Sequence, residues 1–247
     1  MLENRVAMVT GAATGIGESI ARLFAVHGAR VVILDINLTG AISVAGAIQA
    51  GGGKATAHFA DVRRKETIEL AVNDTIERFG HIDILVNNAG IYPRRPFLEM
   101  TEEEWDDMQN TNLKGVFHGC KLVAPHMVER RYGKIVNISS VTFFKGYPAL
   151  SHYVAAEGGV IGLSRSLARE MGPHNVYVNC VTPGAIEVEM EKRVATPEQT
   201  AVIVAQQSLQ RRLQPIDVAN VCLFLAGEMS NGMTGQTVNV DGGLIMY

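Results

Sequence analysis

Three glycines in the stretch VTGAATGIG have the spacing of a loop that can hold a phosphate group. Gly11, Gly15 and Gly17 follow a short β-branched run and precede a stretch with helical spacing of apolar residues. Glycines let backbone N–H groups approach a pyrophosphate, and the N-terminus of the following helix favours its negative charge. An ordinary tight turn also uses such glycines, so this motif alone leaves both interpretations open.

An acidic residue at the end of the next strand-like run extends the pattern. Asp35, in VVILDIN, falls 18 residues after Gly17, and the order of strand, glycine loop, helix, strand and acidic residue is that of a dinucleotide site. A carboxylate there accepts hydrogen bonds from the adenosine ribose and repels a 2′-phosphate, and GAATGIG contains no lysine or arginine to neutralise one. The pattern therefore predicts NAD rather than NADP, unless Asp35 merely ends a strand.

Tyr153 and Glu157 form a second chemically suggestive pair. They lie four residues apart in the stretch SHYVAAEGGVIG, so on a helix they share one face. A phenol has a pKa near 10 and needs a stabilised anion to act as a base at neutral pH. A nearby carboxylate has the opposite effect, because like charges repel.

The elements that must position these residues alternate along the chain. Seven short strand-like runs (RVAMVT, ARVVILDI, KATAHFA, IDILVNN, GKIVNIS, NVYVNCV and QTVNV) alternate with stretches of helical spacing at 16–26, 66–79, 102–130 and 151–171. This alternation predicts a parallel sheet covered by helices on both faces. TEEE at Thr101 and TPEQ at Thr196 mark helix starts. We expect one domain over 1–247, with a lid-like insertion at about 187–213.

Composition excludes several classes of function. The chain has 247 residues, 47% of them hydrophobic and 19% charged, with a formal net charge of −3, so no basic face for nucleic acid or an anionic membrane is expected. The three cysteines have no metal-ligand or redox-pair spacing, so no metal site is predicted. No apolar run is long enough to cross a membrane, and the charged N-terminus does not resemble a secretory signal, so a cytoplasmic location is expected.

Six motifs together resemble the short-chain dehydrogenase/reductases of the single-domain type. They are TGAATGIG, NNAG from Asn87, TNLKGVF, VNISS, YVAA and TPG, and they match in order and spacing along the whole chain. The resemblance implies a Rossmann-like doubly wound sheet of about seven strands, a homotetramer, and hydride exchange between NAD and a secondary alcohol or ketone. It places the following residues at the cofactor: Gly11, Thr14, Gly15, Ile16, Gly17, Asp35, Asp61, Val62, Asn88, Ala89, Gly90, Tyr153, Glu157, Pro183, Gly184 and Ile186.

The resemblance also implies a catalytic set. Ser140, 13 residues before Tyr153, would donate to the substrate oxygen, and Tyr153 would exchange its proton. Asn112 stands where the family holds a helix kink and a relay water. Val188 replaces a threonine that commonly binds the carboxamide of the nicotinamide, so one hydrogen bond of about 1 kcal/mol would be lost.

Glu157 is the largest departure, because the family places a lysine there that lowers the pKa of the tyrosine and binds the nicotinamide ribose. Glu157 could still accept a hydrogen bond from the ribose, so cofactor binding could survive a loss of proton transfer. Three explanations stand open: a disabling substitution, a natural inactive relative, or another cation such as His152, Lys145 or Lys192 in the role of the lysine.

Candidate walls of the substrate pocket are Tyr92, Thr142, Phe143, Phe144, Tyr147 and Met190. Their apolar character predicts a cyclic or aromatic alcohol or ketone, although each could be ordinary packing. Arg94 and Arg95 could bind a carboxylate or the phosphate of an acyl carrier, or could simply be solvated. The leading hypothesis is an NAD-dependent alcohol dehydrogenase impaired by Glu157, and the alternatives are a 3-oxoacyl-thioester reductase and a dinucleotide-binding protein without turnover.

Overall fold

A parallel β-sheet forms the centre of the protein. A computed structural model describes residues 1–188 and 196–246, and within them seven strands pair in the order β3-β2-β1-β4-β5-β6-β7. The strands are β1 (Val6–Thr10), β2 (Arg30–Asp35), β3 (Lys54–Phe59), β4 (Ile84–Asn87), β5 (Gly133–Ile138), β6 (Val176–Pro183) and β7 (Thr237–Val240). The chain places β2 and β3 on one side of β1 and then crosses to place β4 on the other side, so the strand order reverses between β1 and β4. A doubly wound sheet has its ligand crevice at that point, outside the carboxyl ends of the strands.

Helices cover both faces of the sheet, as the sequence predicts. The described helices are α1 (Gly15–Val26), α2 (Leu38–Ala50), α3 (Lys65–Phe79), α4 (Glu102–Met108), α5 (Gly115–Arg130), α6 (Thr142–Lys145), α7 (Ser151–Met171), α8 (Pro197–Gln206) and α9 (Pro215–Ala226). One core layer joins the sheet to α1, α2 and α9, and a second layer joins it to α3, α5 and α7. The Rossmann-like α/β architecture is confirmed.

The predicted start signals lie at helix N-termini. Thr101 and Glu104 form a capping box in which each side chain binds the backbone N–H of the other, and α4 begins at the next residue. Helix α8 begins at Pro197, as the TPEQ stretch predicts. Local sequence chemistry therefore decides where these two helices begin.

The stretch 102–130 is not one regular helix. A π-helical segment, Gln109–Lys114, separates α4 from α5. Its wider turn is a feature often found at functional sites, and here it contains Asn112. The sequence pattern did not predict α2 and α9. Most residues of each helix are small or apolar, so neither helix has a polar face that contrasts with an apolar stripe.

The predicted insertion at 187–213 is described in part. Its ends meet in a β-bridge between Ile186 and Leu213, and α8 lies within it. Met190 and Lys192 lie outside the described residues, and the role of the insertion as a lid stays a prediction. Within residues 1–188 and 196–246, no helix has both the length and the apolar character needed to span a membrane.

Candidate active site

A cavity of about 550 Å³ opens at the carboxyl ends of the central strands. It contains most of the residues to which the sequence assigns a role, although they come from distant parts of the chain. The cofactor candidates that line it are Gly11, Thr14, Gly15, Ile16, Asp35, Asp61, Val62, Asn88, Ala89, Gly90, Pro183, Gly184 and Ile186, and the four catalytic candidates Asn112, Ser140, Tyr153 and Glu157 line it as well.

The glycine loop leaves open backbone space at the N-terminus of α1. Gly11 and Gly15 have φ values of +63° and +61°, a conformation that side-chain-bearing residues rarely adopt. Gly17 does not line the cavity; a Cβ at this position would collide with the Gly11 carbonyl oxygen and would lie 2.6 Å from the Asn88 amide nitrogen. Gly17 therefore lets the helix approach the loop, while Gly11 and Gly15 face the cavity.

Asn88 fixes this loop to the end of β4. Its Nδ2 donates to the carbonyl oxygens of Thr10 and Gly11, both at 3.0 Å. In return, the Thr10 hydroxyl accepts from the backbone N–H groups of Asn88 and Ala89 at 2.9 and 3.1 Å. The loop and the segment after β4 therefore form one rigid wall of the cavity.

Two carboxylates border the same end of the cavity. Asp35 accepts hydrogen bonds from the backbone N–H groups of Ala13 at 2.9 Å and Asn37 at 2.8 Å. Asp61 accepts hydrogen bonds from Nε and Nη2 of Arg63, and these bonds lower the pKa of the Asp61 carboxyl. The open loop, the helix N-terminus and the carboxylate after β2 fit the pyrophosphate and the ribose of a dinucleotide.

Ser140 and Tyr153 meet at the other end of the cavity. Ser140 follows β5 and is buried, and its hydroxyl accepts from the backbone N–H of Thr142 at 3.2 Å. Tyr153, at the start of α7, also lines the cavity, and the Ser140 side chain is near enough to oppose the rise in the pKa of its phenol. The Tyr92 ring packs edge-on against the Tyr153 ring, with centroids 4.7 Å apart.

Glu157 is buried one helical turn further along α7, with 4% of its surface exposed. Its Oε1 accepts from Asn112 Nδ2 at 2.9 Å. Asn112 is itself fixed, because its Oδ1 accepts from the backbone N–H of Ile91 at 2.9 Å and its Nδ2 also donates to the Ile91 carbonyl oxygen at 3.1 Å. Burial raises the pKa of the Glu157 carboxyl to about 7, although the hydrogen bond from Asn112 opposes this shift.

The pKa of the Tyr153 phenol is raised well above 10. Burial is the main cause, and the charge of Glu157 adds to it, whereas the Ser140 side chain acts in the opposite direction. In the described part of the chain, no cation offsets these effects. Lys145 donates to Gln206 Oε1 at 2.6 Å, away from the phenol, and Lys192 lies outside the described residues. His152 is buried, and its burial lowers the pKa of the imidazole.

The structure only partly agrees with the predicted substrate pocket. Tyr92, Thr142 and Tyr147 line the cavity, and Met190 lies outside the described residues. Phe143 and Phe144 do not line it. The Phe143 ring covers Gly158 on α7, and a Cβ at position 158 would lie 2.6 Å from that ring. The Phe144 ring packs against the Phe143 ring, with centroids 5.1 Å apart. The requirement for a glycine at 158 thus comes from packing within the chain.

Several lining residues were not predicted. Arg63 joins Asp61 to Asp107 on α4, with its Nη1 3.0 Å from Asp107 Oδ1. Ile203 and Leu244 close the cavity from the C-terminal part of the chain. The acidic residues on both sides of Arg63 in the sequence hint at an ion pair, but only the folded chain shows that Asp107 takes part.

Comparisons with known proteins agree with this geometry. A family model described as enoyl-(acyl carrier protein) reductase matches residues 11–245. The 3-oxoacyl-[acyl-carrier-protein] reductase FabG of Thermotoga maritima is 40% identical over 246 residues, which is 99% of each chain. Among solved structures, a 3-oxoacyl-[acyl-carrier protein] reductase from Brucella melitensis with bound NAD is 37% identical, with a TM-score of 0.92 over 99% of this chain and 92% of that chain.

A second solved structure is that of a 7α-hydroxysteroid dehydrogenase complexed with NADH and 7-oxo glycochenodeoxycholic acid. It is 35% identical, with a TM-score of 0.95, and the match covers 98% of this chain and 94% of that chain. These matches extend over nearly the full length, so they span the positions of the glycine loop, Ser140 and Tyr153. The chain belongs to the short-chain dehydrogenase/reductase family, a family of oxidoreductases.

Proposed function

We propose that the protein is an NAD(H)-dependent reductase of 3-oxoacyl thioesters that is slow at neutral pH because Glu157 stands beside its proton donor. The observation that carries the proposal is that Ser140 and Tyr153 line one end of a cavity whose other end holds the glycine loop and Asp35. One cavity thus offers a place for a dinucleotide and a place for a carbonyl.

The chemistry requires two donors at the substrate oxygen. When bound, a reduced nicotinamide supplies hydride to the carbonyl carbon, and negative charge develops on the carbonyl oxygen. Tyr153 gives its proton to that oxygen, and Ser140 donates a second hydrogen bond that shares the charge. The raised pKa of Tyr153 keeps the phenol protonated but also makes it a weak acid, so proton transfer is slow.

The charges around the adenosine end favour NAD(H) over NADP(H). Asp35 lines the cavity after β2, where it would repel a 2′-phosphate. Arg63 lines the same cavity and could bind such a phosphate, but its guanidinium is already paired with Asp61 and Asp107. A phosphate would have to compete with both carboxylates.

The comparisons favour a thioester over the apolar alcohol of the leading hypothesis. The name 3-oxoacyl-[acyl-carrier-protein] reductase recurs among the relatives, including those of Thermotoga maritima and Chlamydia muridarum, which are 40% and 38% identical. Phe143 and Phe144 do not line the cavity, so part of the aromatic wall on which the cyclic or aromatic alcohol rested is absent. Val188, which packs beside Gly15, offers no hydroxyl to the nicotinamide carboxamide.

A second candidate is a protein that binds a dinucleotide without turnover, and Glu157 favours it. The buried carboxyl replaces the cation that the family uses at this position, yet it can still accept a hydrogen bond from a ribose hydroxyl. Under this alternative the cofactor binds normally, and no thioester is reduced at any pH.

We also infer that the chain assembles as a homotetramer, as related family members do. Exposed apolar residues on α4 and α5, Trp105 and Phe117, would be covered in such an assembly. Sedimentation velocity tests this inference, and a monomer at micromolar concentration would contradict it.

The test of the proposed function combines binding with turnover. Calorimetry measures the affinities of NADH and NADPH, and the loss of NADH absorbance measures reduction of acetoacetyl-N-acetylcysteamine at pH 6. We expect NADH to bind more tightly than NADPH, and Tyr153→Phe to abolish reduction while the NADH affinity stays within about threefold. The matched control is Tyr132→Phe, a half-buried tyrosine outside the cavity. Tight NADH binding with no reduction by the unaltered chain would favour the second candidate.

A further inference from the structure

We propose that Arg94 is a specificity-determining residue that binds a carboxylate or phosphate group of the substrate. The inference rests on the proposed function and adds the chemical class of the substrate to it. Arg94 lies at the rim of the catalytic cavity and lines it. It belongs to the loop that follows Gly90, between β4 and α4.

The backbone of this loop is held on both sides of Arg94. On one side, Asn112 bonds both the N–H and the carbonyl oxygen of Ile91. On the other side, the backbone N–H of Arg95 donates to the Ala149 carbonyl oxygen at 2.8 Å. The side chain of Arg95 turns away and pairs with Glu104 through its Nε and Nη2 at 2.8 and 2.7 Å. The two neighbouring arginines therefore have different environments.

The Arg94 guanidinium lies close to the reacting groups. Its central carbon is 5.7 Å from the centroid of the Tyr92 ring, and its Nη2 is 3.4 Å from the Tyr92 hydroxyl. Tyr92 in turn packs edge-on against Tyr153. A single aromatic ring thus separates the guanidinium from the phenol that would protonate the substrate.

Arg94 has unused capacity to bind an anion. A guanidinium has five N–H donors in a planar fork that matches a carboxylate or a phosphate. Within residues 1–188 and 196–246, no carboxylate forms an ion pair with Arg94, whereas Arg63, the other arginine that lines the described cavity, is bound by two. The substrate can supply the missing anion either from its acyl chain or from the phosphate of a carrier arm.

The experiment compares four 3-oxoacyl thioesters that separate these two sources. Acetoacetyl-N-acetylcysteamine and acetoacetyl-pantetheine are neutral, 3-oxoadipyl-N-acetylcysteamine carries a carboxylate on the acyl chain, and acetoacetyl-4′-phosphopantetheine carries a phosphate. Reduction is followed at pH 6. Affinity is measured by calorimetry with the protein saturated in NAD⁺, a complex that cannot react. The variants are Arg94→Ala, Arg94→Lys and the matched control Arg95→Ala.

We expect one anionic thioester to be preferred over its neutral partner by about 10- to 100-fold, in KM and in affinity rather than in kcat. Arg94→Ala should abolish this preference, Arg94→Lys should retain part of it, and Arg95→Ala should leave it unchanged. Whichever thioester is preferred, the one with the carboxylate or the one with the phosphate, identifies the source of the anion. No preference in the unaltered chain, or a preference that survives in Arg94→Ala, would overturn the inference. Absence of reduction with every thioester would contradict the proposed function alone, because the binding comparison still decides the role of Arg94.

Discussion

Asn112 Nδ2 lies 2.9 Å from Glu157 Oε1, and this contact connects the irregular turn between α4 and α5 to the catalytic helix α7. The amide donates, so the Glu157 oxygen must accept. The other oxygen of the carboxyl group remains available either to hold a proton or to accept a hydrogen bond from a ligand. The protonation state of Glu157 therefore determines what this end of the cavity offers to a cofactor and to Tyr153.

Replacing Glu157 with lysine should raise the rate of thioester reduction at pH 7 by at least about a hundredfold. An ammonium in this place removes the repulsion from the phenolate and lowers the pKa of Tyr153, which makes the phenol a stronger acid. Steady-state kinetics of Glu157→Lys measure the effect. Ala155→Lys, which adds the same charge on the exposed side of α7, should show no gain. An unchanged rate in Glu157→Lys would refute the role assigned to this position.

The unaltered chain should reduce its substrate faster as the pH falls from 8 to 6. The pKa of Glu157 is about 7, so acidification neutralises the carboxylate, while Tyr153 stays protonated throughout this range. Loss of the repulsion should strengthen the phenol as an acid and increase kcat by about three- to tenfold. Glu157→Gln should show no such step. A kcat that rises with pH in the unaltered chain would contradict this account.

Glu157 should also make stability depend on pH. Its pKa is raised from 4.5 to about 7 in the folded chain. Below pH 4.5 the carboxyl is protonated in both states and carries no penalty. As the pH rises toward 7, ionisation favours the unfolded chain, and the cost reaches on the order of 3 kcal/mol above pH 7. Glu157→Gln, which can still accept from Asn112, should therefore be more stable than the unaltered chain at pH 8.

Urea denaturation at pH 5 and pH 8 measures this difference. Most of the gain in the free energy of unfolding should disappear at pH 5, and the exposed control Glu69→Gln should show no pH-dependent gain. An equal gain for Glu157→Gln at both values would show that packing rather than ionisation causes it.

Asp35 should determine the choice between the two nicotinamide cofactors. Asp35→Asn removes the charge and keeps only one of the two oxygens that accept from the backbone N–H groups of Ala13 and Asn37. We expect its NADH affinity to fall about tenfold and its NADPH affinity to rise, because one charged hydrogen bond is lost and the repulsion of the 2′-phosphate disappears. Calorimetry with both cofactors checks this, with Asp106→Asn, an exposed acid on α4, as the control. An unchanged ratio of the two affinities would contradict the assigned role of Asp35.

Much of the fold could be predicted because its strands are continuous apolar runs. All residues of β1 and β4 are buried, so their apolar runs stand out from the amphipathic stretches around them. The helices α2 and α9 could not be found in the same way, since a helix rich in alanine and other apolar residues has no polar side to create a period. The π-helical segment depends on contacts of Asn112 with a distant loop, which local spacing does not encode.

The positions of site residues could be predicted where a motif fixes the backbone. The orientation of a side chain could be predicted less well, because it depends on tertiary contacts. The glycine loop, Asn88 and Asp35 lie where the motifs put them, because backbone geometry permits few alternatives. The sequence alone does not decide whether Phe143 faces the substrate or α7. In the folded chain, its ring occupies the space that the missing side chain of Gly158 leaves on α7. The different environments of Arg94 and Arg95 depend on Glu104 and Tyr92, which only the folded chain brings near.

The π-helical segment Gln109–Lys114 makes the spacing of this region unusually sensitive to insertions and deletions. Removing one residue between 109 and 114 would let α4 and α5 join as a regular α-helix, which is a locally favourable conformation. The helices on either side would keep their facing, because the wide turn holds one residue more than an α-helical turn, but the residues inside the segment would point in new directions. Asn112 would lose its alignment with Ile91 and Glu157, so the hydrogen bonds at this end of the cavity depend on the number of residues in the segment as well as on their types.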